Sequence, residues 1–110
     1  MRQLATTNIN LIKLIEAMRK EKSRFWNKIA DELEKGKVEV NIWKINKYTK
    51  EGDRAIVPGV VLGSGELDHK VTVIAWRFSK SAKQKLGNNA ILIKDFFEKN
   101  KKDVDLIILK

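Results

Sequence analysis

The chain has 110 residues, 43% of them hydrophobic, which suffices for one buried core and one domain spanning residues 1–110 but not for a second. Its 23 Lys and Arg outweigh 14 Asp and Glu to give a net charge of +9, which points to a polyanionic partner, most commonly nucleic acid for a basic domain of this size. There is no cysteine, which excludes disulfides, thiolate zinc sites and cysteine nucleophiles, and no apolar run approaches the roughly 20 residues that cross a bilayer. Residues 1–7 (Met1-Arg2-Gln3-Leu4-Ala5-Thr6-Thr7) lack the apolar stretch of a secretory signal, so a cytoplasmic protein without a membrane partner is expected.

Asn8 is a good N-cap for a helix with Leu11, Leu14, Ile15 and Met18 on one stripe and Lys13, Glu16, Arg19 and Lys20 opposite. Ser23 caps a second helix that turns Phe25, Trp26, Ile29, Ala30 and Leu33 inward, with Lys35 in its last turn and Gly36 at the left-handed C-terminal position. From Val38 to Lys50 apolar residues begin at strand spacing and finish at helical spacing, which predicts a short extended piece and then a helical turn. Glu51-Gly52-Asp53 is a turn.

Ala55 to Leu62 reads as a strand bent at Pro58-Gly59, and the proline belongs at an edge or a bulge because it cannot donate to a ladder. Gly63 to Lys70 is a connection, and Val71 to Phe78 a strand with apolar residues on both faces. Ser79 or Ser81 caps a short helix ending at Leu86. A strand over Ala90–Ile93, a helix over Asp95–Asn100 and a last strand over Val104–Leu109 follow. This order predicts one α/β or mixed α+β domain.

Gly63-Ser64-Gly65 lacks the third glycine and the following helix of a dinucleotide loop, and lacks the Gly-Lys-Ser/Thr ending of a phosphate loop. Turning the chain is its first role, and close approach of its backbone N–H groups to RNA phosphate a second. Glu66, Asp68 and His69 are the one cluster with acid/base or metal-ligating chemistry. His69 is the single histidine and no nucleophile elbow accompanies it, so no catalytic residue, metal, cofactor or small-molecule substrate is expected.

The lysines are more telling. Lys44, Lys47 and Lys50 recur every three residues with Tyr48 interleaved, on one side of the expected helical turn. Lys80, Lys83 and Lys85 gather near a helix start, where the N-terminal partial charge also favours phosphate. The rival reading of both clusters is a solvated face. Arg19, Lys20, Lys22 and Arg24 form a third basic group. Trp26 and Trp76 read as core; Trp43 reads as core or half-buried, with stacking on a base or ribose as the alternative.

Four blocks occur in a fixed order: Val40-Asn41, Lys44-Ile45-Asn46-Lys47-Tyr48-Thr49-Lys50-Glu51-Gly52-Asp53, Val57 to Val73, and Phe78 to Leu86. Together they resemble the large-subunit ribosomal protein eighteen family of archaea and eukaryotes, the "e" type related to bacterial ribosomal protein fifteen, from about Asn8 onward. The resemblance implies a fold of irregular strand-strand-helix units behind two N-terminal helices. It also implies a non-enzymatic constituent of the large subunit, with rRNA and neighbouring ribosomal proteins as partners and a monomer outside the ribosome. Candidate RNA contacts on this reading are Lys44, Lys47, Lys50, Gly63, Ser64, Gly65, Lys70, Ser79, Lys80, Ser81 and Lys83. Two departures are visible: Glu34 to Glu39 is short where many relatives carry an arginine-rich insert, and Gly87 stands where relatives often have a Gly-Gly pair. The competing reading is a free-standing nucleic-acid-binding regulator using the first two helices as a helix-turn-helix. Asp31, Glu32 and Glu34 on the second helix oppose it by repelling a duplex.

Overall fold

Side-chain caps open the first two helices of the computed structural model, which describes residues 8–102 and 104–110; the N-terminal stretch 1–7 lies outside these. Asn8 Oδ1 accepts from the Leu11 N–H at 3.2 Å and starts α1 (Ile9–Lys20). Ser23 Oγ accepts from the Trp26 N–H at 3.1 Å and starts α2 (Arg24–Lys35). Gly36 ends α2 at φ 64°, a left-handed conformation in which a Cβ is costly. The Arg19 guanidinium ties the pair together, donating to Asp31 at 2.9 Å and Glu34 at 3.1 Å. Glu32, buried, accepts from Lys110 Nζ at 2.8 Å and lies 3.5 Å from Lys35 Nζ. The Lys110 hydrogen bond, helped by both positive charges and opposed by burial, holds its carboxyl below the ordinary glutamate range.

The strands β1 (Glu39–Asn41), β2 (Arg54–Leu62), β3 (Thr72–Phe78) and β4 (Ala90–Leu92) lie side by side in that order, and β5 (Ile107–Ile108) joins β2 beside Ala55 and Ile56. Every pair is parallel. The helices α3 (Ile42–Tyr48), α4 (Lys80–Leu86) and α5 (Ile93–Lys99) occupy the crossovers β1 to β2, β3 to β4 and β4 to β5. The result is an α/β domain with a parallel sheet between two helical layers. Alternate residues of β2 and β3 feed opposite cores: Ile56 and Ile74 pack with α1, α2 and α5, whereas Ala55, Val57, Val73 and Ala75 pack with α3 and α4. Burial on both faces is why these strands read as continuous apolar runs.

Two boundaries differ from the sequence expectation. The helix at residues 93–99 starts before Asp95, so Ile93 is its first residue rather than a strand end. The last strand is only Ile107–Ile108, because β2 shares that side: β5 takes Ala55 and Ile56, and β1 takes Val60 to Leu62. Of the two places expected for Pro58, an edge or a bulge, it takes the second, within the most heavily paired strand. It falls between those two stretches, and also where the register against β3 shifts between Val57 and Val60, so the missing N–H interrupts no ladder. Gly59 beside it leaves no room for a side chain, since a Cβ would stand 2.1 Å from the Val38 carbonyl oxygen that accepts from Val60 N–H.

Trp26 is fully buried, and Trp76 packs against the same core, as expected. Trp43 is not core or half-buried as expected: it is 52% exposed, because α3 turns Ile42 and Ile45 into the core and leaves position 43 on its outer side.

Candidate nucleic-acid interface

Because all strands point one way, their C-terminal ends share one edge of the sheet, where α3 and α4 begin. The connection from β2 to β3, residues 63–71, contains no helix. It runs back across the domain as a strap alongside α3. Trp43 N–H donates to Ser64 O at 3.0 Å, Asp68 N–H to Asn46 Oδ1 at 2.9 Å, and Lys70 N–H to Glu51 Oε1 at 3.1 Å. Three fixings along its length make the strap part of the scaffold.

The strap separates the sequence-predicted residues into two groups. At the C-terminal edge stand Gly63, Ser64, Gly65, Ser79, Lys80 and Ser81. At the other edge, about 25 Å away along β2, Lys50 and Lys70 flank the turn at Glu51–Asp53, where Gly52 N–H donates to Lys70 O at 2.8 Å and Lys50 N–H to Asp53 Oδ2 at 2.8 Å. Both lysine side chains there are exposed.

The three-residue lysine ladder holds only in part. The helix α3 stops at Tyr48, and Thr49 turns extended at φ −128°, so Lys50 lies beyond the helical face. Lys44 Nζ is turned to the Lys110 carbonyl at 2.8 Å, while Lys47 is exposed with its Nζ 5.5 Å from the centre of the Tyr48 ring.

Of the two serines offered as a cap, Ser79 opens α4, accepting from Ala82 N–H at 3.2 Å; Ser81 Oγ stands 3.4 Å from Ser79 Oγ. Lys80 and Lys83, three apart, share one exposed side of the seven-residue helix. Lys85 lies on the other side and is structural. Its Nζ donates to Gly63 O at 2.7 Å and Gly65 O at 2.6 Å and lies 3.7 Å from Glu66.

The glycines have a packing reason rather than only a turning one. A Cβ on Gly63 would sit 1.9 Å from Ser81 Oγ, and one on Gly65, at φ 101°, would sit 2.5 Å from Trp43 Cβ. They let the strap lie directly against α3 and α4. Ser64 N–H is itself used, donating to Asn41 Oδ1 at 3.3 Å.

Of the Glu66, Asp68 and His69 cluster, only Asp68 and His69 come together. Glu66 extends toward Lys85, while His69, its side chain only 13% exposed, bonds Asp68 Oδ1 through Nδ1 at 2.8 Å and Thr49 Oγ1 through Nε2 at 2.7 Å. The His69 contact, followed by the Asn46 hydrogen bond, holds the Asp68 carboxyl below its ordinary range. With both ring nitrogens occupied, His69 has none for Ser64, Ser79 or Ser81. Its role is to pin the strap to the end of α3. Replacing His69 by alanine is expected to lower stability by about 1–2 kcal/mol and to leave RNA affinity unchanged below the melting transition. Thermal denaturation beside filter binding checks this, and a large affinity loss with unaltered stability would contradict it.

One exposed cation near this edge, Arg77, was not singled out from the sequence. It is exposed at the end of β3 and lines a hollow of about 460 Å³ with Phe78, Lys83, Leu92 and Asp95. Strand alternation gives no warning of it, since position 77 shares a face with the buried Val73 and Ala75 and is exposed only because the strand end runs past the helices that cover them.

A family model for ribosomal proteins, described by its 50S members L15 and L18e together with a 60S counterpart, matches residues 8–89, which include all eleven sequence-predicted positions. Among similar proteins are three archaeal ones named large ribosomal subunit protein eL18. That of Sulfurisphaera tokodaii is 52% identical over 84 residues, 74% of this chain and 71% of its own. That of Nanoarchaeum equitans is 44% identical over 100 residues, covering 86% and 85%. That of Methanothermobacter thermautotrophicus is 40% identical over 109 residues, covering 90% of each.

Proposed function

The chain belongs to the family of L15 and L18e ribosomal proteins, and from that premise we propose that it is a structural constituent of the large ribosomal subunit that holds folded rRNA through lysine contacts to phosphate. The observation that carries this reading is the coincidence of family match and exposed charge. Lys47, Lys50, Lys70, Lys80 and Lys83 all lie within residues 8–89, are exposed, and have no ion-pair partner among the described residues.

The mechanism is electrostatic and geometric. Phosphate neutralisation releases counterions and fixes the domain's register, while the shape of the folded RNA supplies specificity. The rigid strap and its close-packed glycines hold the two lysine groups at a set separation, so the domain reads the spacing of phosphates rather than base identity. Gly63, Ser64, Gly65, Ser79 and Ser81 line the C-terminal edge beside Lys80, where small groups let the RNA backbone approach. Lys44, tied to the Lys110 carbonyl, reaches phosphate only by giving up that bond. The helix α4 is short and a dipole effect is confined to the first turn, so the lysines supply most of the attraction. Neighbouring ribosomal proteins complete the surroundings, the ribosome places the chain in the cytoplasm, and no chemical step is assigned to it.

The helix-turn-helix alternative is weaker on this geometry. The apolar stripe of α2, with Trp26, Ile29 and Leu33, is buried in the core beside the sheet, and Arg19 is committed to Asp31 and Glu34.

Replacing Lys80 and Lys83 together by alanine is expected to weaken binding to large-subunit rRNA without changing the melting temperature, since exposed lysines contribute little to stability. The slope of log K against log salt should become shallower by roughly one unit per contact removed. Filter binding across a salt series measures both. Unchanged affinity and slope would make these lysines solubilising charges only.

A further inference from the structure

All the RNA contacts above lie on α3, α4, the strap and the edges of one helical layer, yet the opposite layer carries a lysine-rimmed groove. Between α1 and α5 lies a hollow of about 350 Å³ lined by Lys13, Leu14, Ala17, Lys94, Phe97, Glu98 and Lys101, with Asn10 at its end. Its floor offers little bare apolar surface, because Leu14 and Phe97 are 7% and 3% exposed. Cations rim it: Lys13, Lys94 and Lys101 are exposed, and among the described residues none of them has an ion-pair partner. Glu98 is the one carboxylate in the lining, so the groove remains net positive. An apolar helix from a partner would find too little floor to bury, whereas a chain of phosphates meets three cations converging from two helices and the segment after α5.

We propose that the groove between α1 and α5 is a second RNA-backbone site, so that the domain holds two rRNA segments, one on each face of its sheet. The two helical layers stand about 20 Å apart with the sheet between them, and one run of backbone lying along α3 and α4 does not reach the groove. Lys94 and Lys101 lie beyond the family-matched residues 8–89 and Lys13 within them, so the family match covers only the α1 side of this site. The inference rests on the rRNA-binding reading above, and the test separates the two.

Hydroxyl-radical footprinting of the full chain on large-subunit rRNA is expected to show two separate protected tracts. Lys13→Ala, Lys94→Ala and Lys101→Ala together should erase one tract and make the salt slope shallower by up to about three units, with an unchanged circular dichroism spectrum. The Lys80→Ala, Lys83→Ala pair should weaken only the other. If the triple variant keeps every protection and the same slope, the groove is not an RNA site, even where the Lys80 and Lys83 pair loses its tract. If the triple variant binds rRNA normally but no longer enters subunits, the groove docks a protein and the proposal fails. If the triple variant loses a tract while the pair loses nothing, the groove stands and the α4 contact falls. Glutamine at the same three positions supplies a second variant that keeps side-chain length should alanine disturb α1.

Discussion

Replacing Trp26 by alanine is expected to remove about 3–5 kcal/mol of stability, a large share of what a domain of this size possesses. The indole is fully buried, and its Nε1–H donates to the carbonyls of Asn100 at 2.9 Å and Lys102 at 3.1 Å. Its ring meets Phe25 edge-on at 4.9 Å and Phe97 at 5.0 Å, with Phe96 at 6.1 Å. Alanine therefore opens a cavity in the aromatic cluster and deprives two carbonyls of their donor at once. Phenylalanine at the same position separates the two effects. It keeps most of the packing and loses the donor, for a cost of about 1–3 kcal/mol. Denaturant titration of the three proteins gives the ranking. Equal midpoints for wild type and the phenylalanine variant would show that the hydrogen bonds contribute nothing.

The second large effect is expected at Gly59. An alanine Cβ would stand 2.1 Å from the Val38 oxygen, 2.8 Å from Val38 Cβ and 2.9 Å from the Val38 carbonyl carbon, and two of those three atoms are backbone. No side-chain rotation relieves that overlap, so β1 must move away from β2, and the bond from Val60 N–H to Val38 O at 3.0 Å goes with it. A loss of about 3 kcal/mol follows, equivalent to a fall in melting temperature on the order of 10 °C or more. Gly52→Ala is the control. Its φ of 85° strains an alanine, but nothing lies within 4 Å of the new Cβ, so the steric part is absent. A variant at Gly59 as stable as wild type would mean that β1 is free to shift.

What could be read from the sequence was what neighbouring residues decide among themselves. Asn8, Ser23, Gly36 and Ser79 act within one helical turn, and each marks its boundary where expected. The pair of short elements at residues 39–48 was likewise visible as a change of apolar spacing. What required the fold is decided between distant segments. The all-parallel pairing, the notch that lets a central strand carry Pro58, and the truncation of the last strand to two residues depend on which neighbours share β2. The same holds at the candidate interface. Lys80, Lys83 and Lys85 look alike in sequence, and only the position of the strap makes Lys85 a tether and leaves the other two facing solvent. The glycines of Gly63-Ser64-Gly65 were legible as glycines with a purpose, but the purpose, close contact with Ser81 and Trp43, lies in residues far along the chain.

The sheet contains no hairpin, since every described strand pair is parallel and is closed through an intervening crossover. Loop closure must therefore precede each strand pairing, and β5 can dock on Ala55 and Ile56 only after most of the chain has been made. The α1–α2 hairpin is built from local contacts, so it is a piece able to form early, with Trp26 waiting for the segment around residues 96–102. A chain emerging from its N-terminus would thus hold an unfinished sheet until its last strand arrives, and folding of this domain is expected to be late, cooperative and slow for its size.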